Sequence, residues 1–244
     1  MSNYIILSPT AHKQTKVITR RSADYGDNIK YAMTFPLEFR NIQSSYPIFF
    51  SKSNETGEFF PIALLGFENN ENLFLSDSSS DSGWDAPYIP MMVERHPFLI
   101  GYQGGAEEDS EKKPVVSIDM DNPRVSEEEG EVLFEETGQP TEFLKGVMGK
   151  LEALHQGHEH NKGFIAALTS LGLLEPFTLE ITLDNGSTNQ LLGFYTINEQ
   201  KLNELDGESL GGLNAAGYLQ PIYMAVASYA RIRTLIEKKN ALLQ

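Results

Sequence analysis

Tyr46-Pro47-Ile48-Phe49-Phe50 and Phe60-Pro61-Ile62-Ala63-Leu64-Leu65-Gly66-Phe67 decide the fold. Both are short apolar runs with aromatic and β-branched residues, a strand signal rather than a helical one. Residues 52–58, with the turn former Asn54-Glu55-Thr56-Gly57, join them, and a β-hairpin follows. A proline near the start of each run suits a first or edge position and not a central ladder, because proline has no N–H to donate. Outward from this pair, Asn69-Asn70-Glu71-Asn72 turns into the run Leu73-Phe74-Leu75. Residues 98–102, 114–119 and 4–7 read as further strands, the last ended by Ser8-Pro9. Residues 31–40 read as extended around Pro36. Residues 11–29 are polar, mixed in charge and peak at Arg20-Arg21, as expected of an arm lying across the domain.

Helical periodicity begins after residue 139. Pro140-Thr141-Glu142 opens a segment that places Phe143, Leu144, Val147, Met148, Leu151 and Leu154 on one face. Gly157 is expected to end it, and a second short helix over residues 161–171 closes at Gly172. Asp184-Asn185-Gly186-Ser187 predicts a hairpin between residues 179–183 and 190–197. Asn198 suits the cap of a helix over 199–205, and residues 209–216 suit another turn of helix. A last helix starts near Leu219, with Ile222, Val226, Tyr229, Ile232 and Ile236 on one stripe and Arg231, Arg233, Lys238 and Lys239 toward its C-terminus. The expected class is α+β in one domain over residues 1–244. A meander of short strands fills its β-rich part, about 1–138, and one hairpin interrupts its helix-rich part, about 139–244. No internal repeat is present.

Composition narrows the function. The formal net charge is −15 and the sequence pI about 4.7, which argues against nucleic acid or an anionic membrane as the main partner and favours a basic one or plain solubility. Residues 107–136 hold twelve Asp and Glu against three Lys and Arg, a solvated acidic face or loop. There is no cysteine, so disulfides, thiolate metal sites, Fe–S clusters and a cysteine nucleophile are excluded, and a cytoplasmic location fits. The N-terminus lacks the basic and apolar regions of a signal peptide, and no run approaches the roughly 20 apolar residues that span a bilayer.

The strongest candidate site is the stretch Asp81-Ser82-Gly83-Trp84-Asp85-Ala86-Pro87-Tyr88-Ile89-Pro90 followed by Glu94-Arg95-His96-Pro97-Phe98, which holds the only tryptophan. Arg95 could grip a carboxylate or phosphate bidentately, with His96 beside it and Trp84 and Tyr88 as flat apolar walls. The structural alternative buries Trp84 in the core and pairs Arg95 with an acid such as Asp119. His155, His158 and His160 invite a metal reading, but Gly157 is expected to fray the helix there, and a solvated connection is the simpler account. Gly101-Tyr102-Gln103-Gly104-Gly105 lacks G-x-G-x-x-G spacing and leads into acidic residues. P-loop, nucleophile-elbow, H-E-x-x-H and 2-His-carboxylate patterns are missing. No catalytic residue, metal or cofactor is assigned.

A family resemblance runs through Tyr46-Pro47-Ile48-Phe49-Phe50, Ala63-Leu64-Leu65-Gly66-Phe67, Glu71-Asn72-Leu73-Phe74, Gly83-Trp84, Tyr88-Ile89-Pro90 and Arg95 with Pro97-Phe98. It continues in Ser117-Ile118-Asp119, Gly130, Leu133-Phe134, Gly138, Leu192-Gly193-Phe194-Tyr195, Leu202, Leu205, Gly217 and Leu219. In these the chain resembles the bacterial SapC family, S-layer-associated in name and distinct from the transporter permease that shares it. The serine-rich insertion before Gly83 and the weight of the acidic run depart from that pattern, both in expected loops. The resemblance implies a soluble accessory protein, in systems with outer-membrane receptors, halogenase-like and cupin-like proteins. It supplies no catalytic residues. The expectation is therefore a non-enzymatic protein that binds a peptide, small molecule or partner protein. The alternative is an enzyme, or a subunit of one, modifying a peptide or amino acid with a partner oxygenase or halogenase. A homodimer through the last helix is a third possibility.

Overall fold

The structure is a computed structural model that describes residues 3–76, 82–103 and 113–243. The serine–aspartate run at 77–81, and the polar loop at 104–112 with Gly104 and Gly105, lie outside the described residues. The strands are β1 (Tyr4–Ile6), β2 (Lys16–Val17), β3 (Tyr31–Met33), β4 (Ile48–Lys52), β5 (Phe59–Leu64), β6 (Phe98–Gln103), β7 (Lys113–Asp119), β8 (Val125–Ser126), β9 (Glu131–Val132), β10 (Leu174–Thr182) and β11 (Thr188–Ile197). The helices are α1 (Phe39–Ile42), α2 (Met91–Glu94), α3 (Glu142–Ser170), α4 (Glu199–Asn203), α5 (Gly207–Ala215), α6 (Leu219–Ser228) and α7 (Ile232–Ala241). The mixture is the expected α+β arrangement, strands dominating before α3 and helices after it, with one late hairpin.

The two deciding runs form the β4–β5 hairpin, paired from Ile48↔Ala63 to Lys52↔Phe59. They lie at the centre of an antiparallel sheet of order β10-β11-β4-β5-β3, so the late hairpin and the early one share a sheet. Pro61 therefore sits in an inner strand, against expectation. Its carbonyl accepts from Thr34 N at 3.0 Å, which turns its backbone toward the end of β3 and leaves the β4–β5 bonds intact. Two further expectations fail locally. Residues 73–75 form a turn and a single bridge, Leu75↔Trp84, instead of a strand. Residues 31–40 are extended only through β3, then turn into α1, because Phe39 and Ile42 dive into the core.

Gly157 does not end a helix. α3 runs unbroken through it, capped by Thr141, whose hydroxyl accepts from Leu144 N at 3.3 Å. A Cβ at Gly157 would lie 2.7 Å from Leu37 Cδ2 and 3.1 Å from Phe35 Cγ. The glycine admits the preceding loop against the helix, and the separate helix expected at 161–171 is simply α3's second half. That half places Phe164 and Leu168 in the main core over the five-stranded sheet. The first half places Leu144, Val147 and Leu151 in a second core against the sheet β1-β7-β6. One helix thus fixes both sheets.

The expected last helix is two, α6 and α7, joined by a 3₁₀ turn at Tyr229–Arg231. Ser228 sits at the break, fully buried: its Oγ accepts from Ile48 N at 2.8 Å and donates to Ala225 O at 2.6 Å, supplying an acceptor where β4 begins. The stripe expected on this segment packs inward, with Ile222 fully buried and Leu219, Val226, Tyr229, Ile232 and Ile236 against the main core; Leu235, outside that stripe, is also fully buried. The polar arm at residues 11–29 is held by β2, which pairs with β8 and β9, and by a buried ion cluster. Arg124, fully buried, donates from Nη1 to Ile18 O (2.9 Å) and Arg20 O (2.7 Å) and from Nη2 to Asp27 Oδ2.

Candidate functional site: a groove between a β-sheet and the long helix

The stretch around Trp84 enters the core. Gly83 has φ +69°, and a Cβ there would strike Arg21 O at 2.1 Å, so glycine is required for the chain to pass the arm. Trp84 follows, 2% exposed, stacked on Phe74 at 6.3 Å and donating Nε1–H to Tyr46 Oη at 2.7 Å. Tyr46 Oη in turn donates to the Tyr88 carbonyl. The Tyr88 hydroxyl donates to Glu38 Oε1 at 2.8 Å, and the same carboxylate receives Met91 N at 2.6 Å and Thr34 Oγ1 at 2.7 Å. Glu38 is buried, and no cation pairs with it among the described residues. Burial raises its carboxyl above the ordinary carboxylate range, and these three donors oppose the shift. Three donors to one carboxylate tie α1, the Trp84 loop and α2 together.

Arg95, His96 and Asp119 take other directions. Arg95 is half-buried at the end of α2 and donates from Nη1 to Phe98 O at 2.9 Å. No carboxylate pairs with it among the described residues, and its Nε is buried without a hydrogen bond. Burial lowers its pKa from the ordinary arginine value, which leaves a cation at neutral pH. Asp119 instead accepts from Asn3 N at 2.8 Å and Asp121 N at 3.2 Å, fastening the start of β1. His96 is exposed and precedes a cis peptide bond to Pro97. Burial of part of its ring and the charges of Arg95, Arg21 and Arg124 push its imidazole down to about 4, against a weaker upward pull from Asp119.

The three histidines near Gly157 stand on α3, not in a loop, because the helix continues through the glycine. His155 and His158 share a face, and His158 packs edge-on to Phe35 at 6.3 Å. His160 points elsewhere, against Tyr218 at 5.3 Å. No group of three metal-binding side chains occurs among the described residues.

Two concavities flank α3. The larger, about 440 Å³, lies between the β1-β7-β6 sheet and the first half of the helix, walled by Ile6, Ile100, Val116, Leu144, Met148 and Leu151. Among the described residues, Glu152 is the one ionisable residue in its wall. Ile6 and Met148 stand on it 42% and 44% exposed, and Tyr4 and Ile5 of β1 are exposed as well. The smaller, about 210 Å³, is walled by Met33, Phe35, Met92 and Leu99 with Arg95, His155 and His158. Ile100 and Leu151 belong to both, so the two share a wall. Of the five sequence candidates, Arg95 alone lines either cavity; Trp84 and Tyr88 are joined through Tyr46, and His96 lies near Arg95 and Asp119.

Sequence reasoning missed the groove, because its walls are ordinary apolar residues of five separate segments. It also missed Glu38 and the Arg124–Asp27 pair. A lone arginine inside the acidic run was the available signal for the latter. No curated protein and no solved structure is significantly similar to the chain. The SapC family model matches residues 7–235, from the groove's own Leu7 to the buried Leu235 of α7, and the chain therefore belongs to the SapC family.

Proposed function

We propose that this is a non-enzymatic accessory protein of the cytoplasm that binds an apolar small molecule or peptide segment in the groove between the β1-β7-β6 sheet and α3. The observation that carries the reading is the 440 Å³ concavity, whose walls are apolar and whose rim leaves Ile6 and Met148 exposed to water. Its volume lies within the roughly 300–1,000 Å³ of small-molecule sites. Apolar surface left open beside a concavity marks an interaction site more often than scattered exposure does. A catalytic role for Arg95, His96, Asp119 and Tyr88 would call for one shared pocket, whereas Tyr88 is engaged by Glu38 and Asp119 by the start of β1.

Met148→Trp tests the reading, since an exposed position tolerates the larger side chain while the indole fills the groove. A panel of long-chain amphiphiles and apolar peptides is titrated calorimetrically into the natural chain and the variant. Saturable binding to the natural chain that Met148→Trp abolishes, with melting temperature retained, supports it. Binding that survives the filled groove, or no binding at all, refutes it.

A further inference from the structure

We propose that the smaller cavity is the anionic end of the groove, and that the ligand is an apolar monocarboxylate whose carboxylate meets Arg95, His155 and His158 while its chain lies past Ile100 and Leu151. This rests on the groove reading above and assigns it a ligand class.

Arg95 carries the argument. It is a half-buried guanidinium with no carboxylate against it among the described residues, in a chain with fifteen more acidic than basic side chains. Nη1 is used by Phe98 O and Nε is sealed in, but Nη2 makes no hydrogen bond among the described residues and is not buried. It is the accessible nitrogen of a side chain that lines the cavity. In the lining of the same cavity, two imidazoles one helical turn apart each offer a ring N–H. A guanidinium and imidazole N–H groups favour an anion, and the remaining walls, Met33, Phe35, Met92 and Leu99, favour an apolar body.

Charge selects among anions. A net charge of −15 repels polyanions such as nucleotides at long range, and one free guanidinium edge neutralises one negative charge. A monocarboxylate with a long apolar tail meets both conditions and draws most of its affinity from burial, about 0.8 kcal/mol for each buried CH₂. A fatty acid and the free C-terminus of an apolar peptide share that chemistry.

The experiment is calorimetric titration of the protein with dodecanoate, with 1-dodecanol, and with a peptide ending in three leucines as free acid or as amide. The carboxylate is expected to bind at least about ten-fold more tightly than the alcohol, the worth of one charge-assisted hydrogen bond. Arg95→Met, keeping the stem length, is expected to erase that preference while the alcohol's affinity changes less than about two-fold. Because the acid–alcohol comparison uses the unaltered chain, it decides even if the variant folds poorly. Equal binding of acid and alcohol, or a preference that survives Arg95→Met, overturns the anionic end while leaving the groove standing. Failure of all four ligands overturns both. A preference for dodecanoate over the free-acid peptide identifies a lipid-derived ligand; the reverse, lost on amidation, identifies a peptide C-terminus.

Discussion

Trp84 Nε1 donates to Tyr46 Oη at 2.7 Å, and the same Tyr46 hydroxyl donates onward to the Tyr88 carbonyl, so one buried hydroxyl connects the only indole to the segment that leads into α2. Tyr46→Phe removes an acceptor from the indole and a donor from the carbonyl without changing the packed volume. A buried polar group losing its partner costs about 1–3 kcal/mol, and the melting temperature should fall by several degrees. Trp84 emission should be blue-shifted in the natural chain, as befits a residue 2% exposed. An unchanged melting temperature would show that the hydroxyl bridge contributes nothing.

Four glycines of α3 provide an internal control. A Cβ at Gly146 or Gly149 meets nothing within 4 Å, whereas at Gly157 it meets Leu37 and Phe35, and at Gly163 it lies 2.3 Å from Tyr218 Oη. Glycine to alanine in a helix interior is otherwise worth about 1 kcal/mol. Gly146→Ala and Gly149→Ala should therefore raise the melting temperature, and Gly157→Ala and Gly163→Ala should lower it. A rise at Gly157 matching that at Gly149 would contradict the close approach of the loop before α1 to the helix.

The same helix shows where sequence legibility ended. Its start was readable from Thr141 and the apolar spacing of Leu144, Val147 and Leu151, because capping and periodicity are local. Gly157 was misread because a helix terminator and a close-packing glycine look identical without the partner, and the partner, Phe35, is over a hundred residues away. The β4–β5 hairpin was legible for the same local reason, while its central position was not, since β11 arrives from residue 188 onward. In the candidate site, Arg95 was visible beside His96, ahead of Pro97-Phe98. That it would line a cavity with His155 and His158, rather than with Trp84 and Tyr88, depends on the tertiary fold.

Arg124 anchors the N-terminal arm through three acceptors, Ile18 O, Arg20 O and Asp27 Oδ2. Arg124→Leu leaves Asp27 buried with Arg21 alone, 3.7 Å away. Removing one member of a buried pair costs about 3–5 kcal/mol. Hydrogen exchange should speed at Ile18, whose N–H is bonded to Arg124 O at 2.9 Å. Arg124→Lys should recover little, because one ammonium lacks the planar fork that spans these acceptors. Full recovery by lysine would reduce the cluster to simple charge pairing.

Glu38 gives a dependence on pH with a definite sign. Its carboxyl is raised in the folded protein above 4.5, chiefly by burial, so the folded state holds this proton where the unfolded state has released it. The associated stability is fully present below 4.5 and is lost as pH rises through the raised folded value. Glu38→Gln cannot titrate, and its amide oxygen still accepts from Met91 N and the Tyr88 hydroxyl. The stability of the natural chain minus that of Glu38→Gln should therefore fall as pH increases from 4.5 toward neutrality. His96 acts oppositely in an overlapping window, its depressed pKa removing stability as pH falls from 6.5 toward about 4. It is present in both chains, so the difference isolates Glu38. Urea unfolding at half-unit steps measures this difference. A flat difference would mean that Thr34, Tyr88 and Met91 offset the burial of the charge, and a rising one would reverse the assignment.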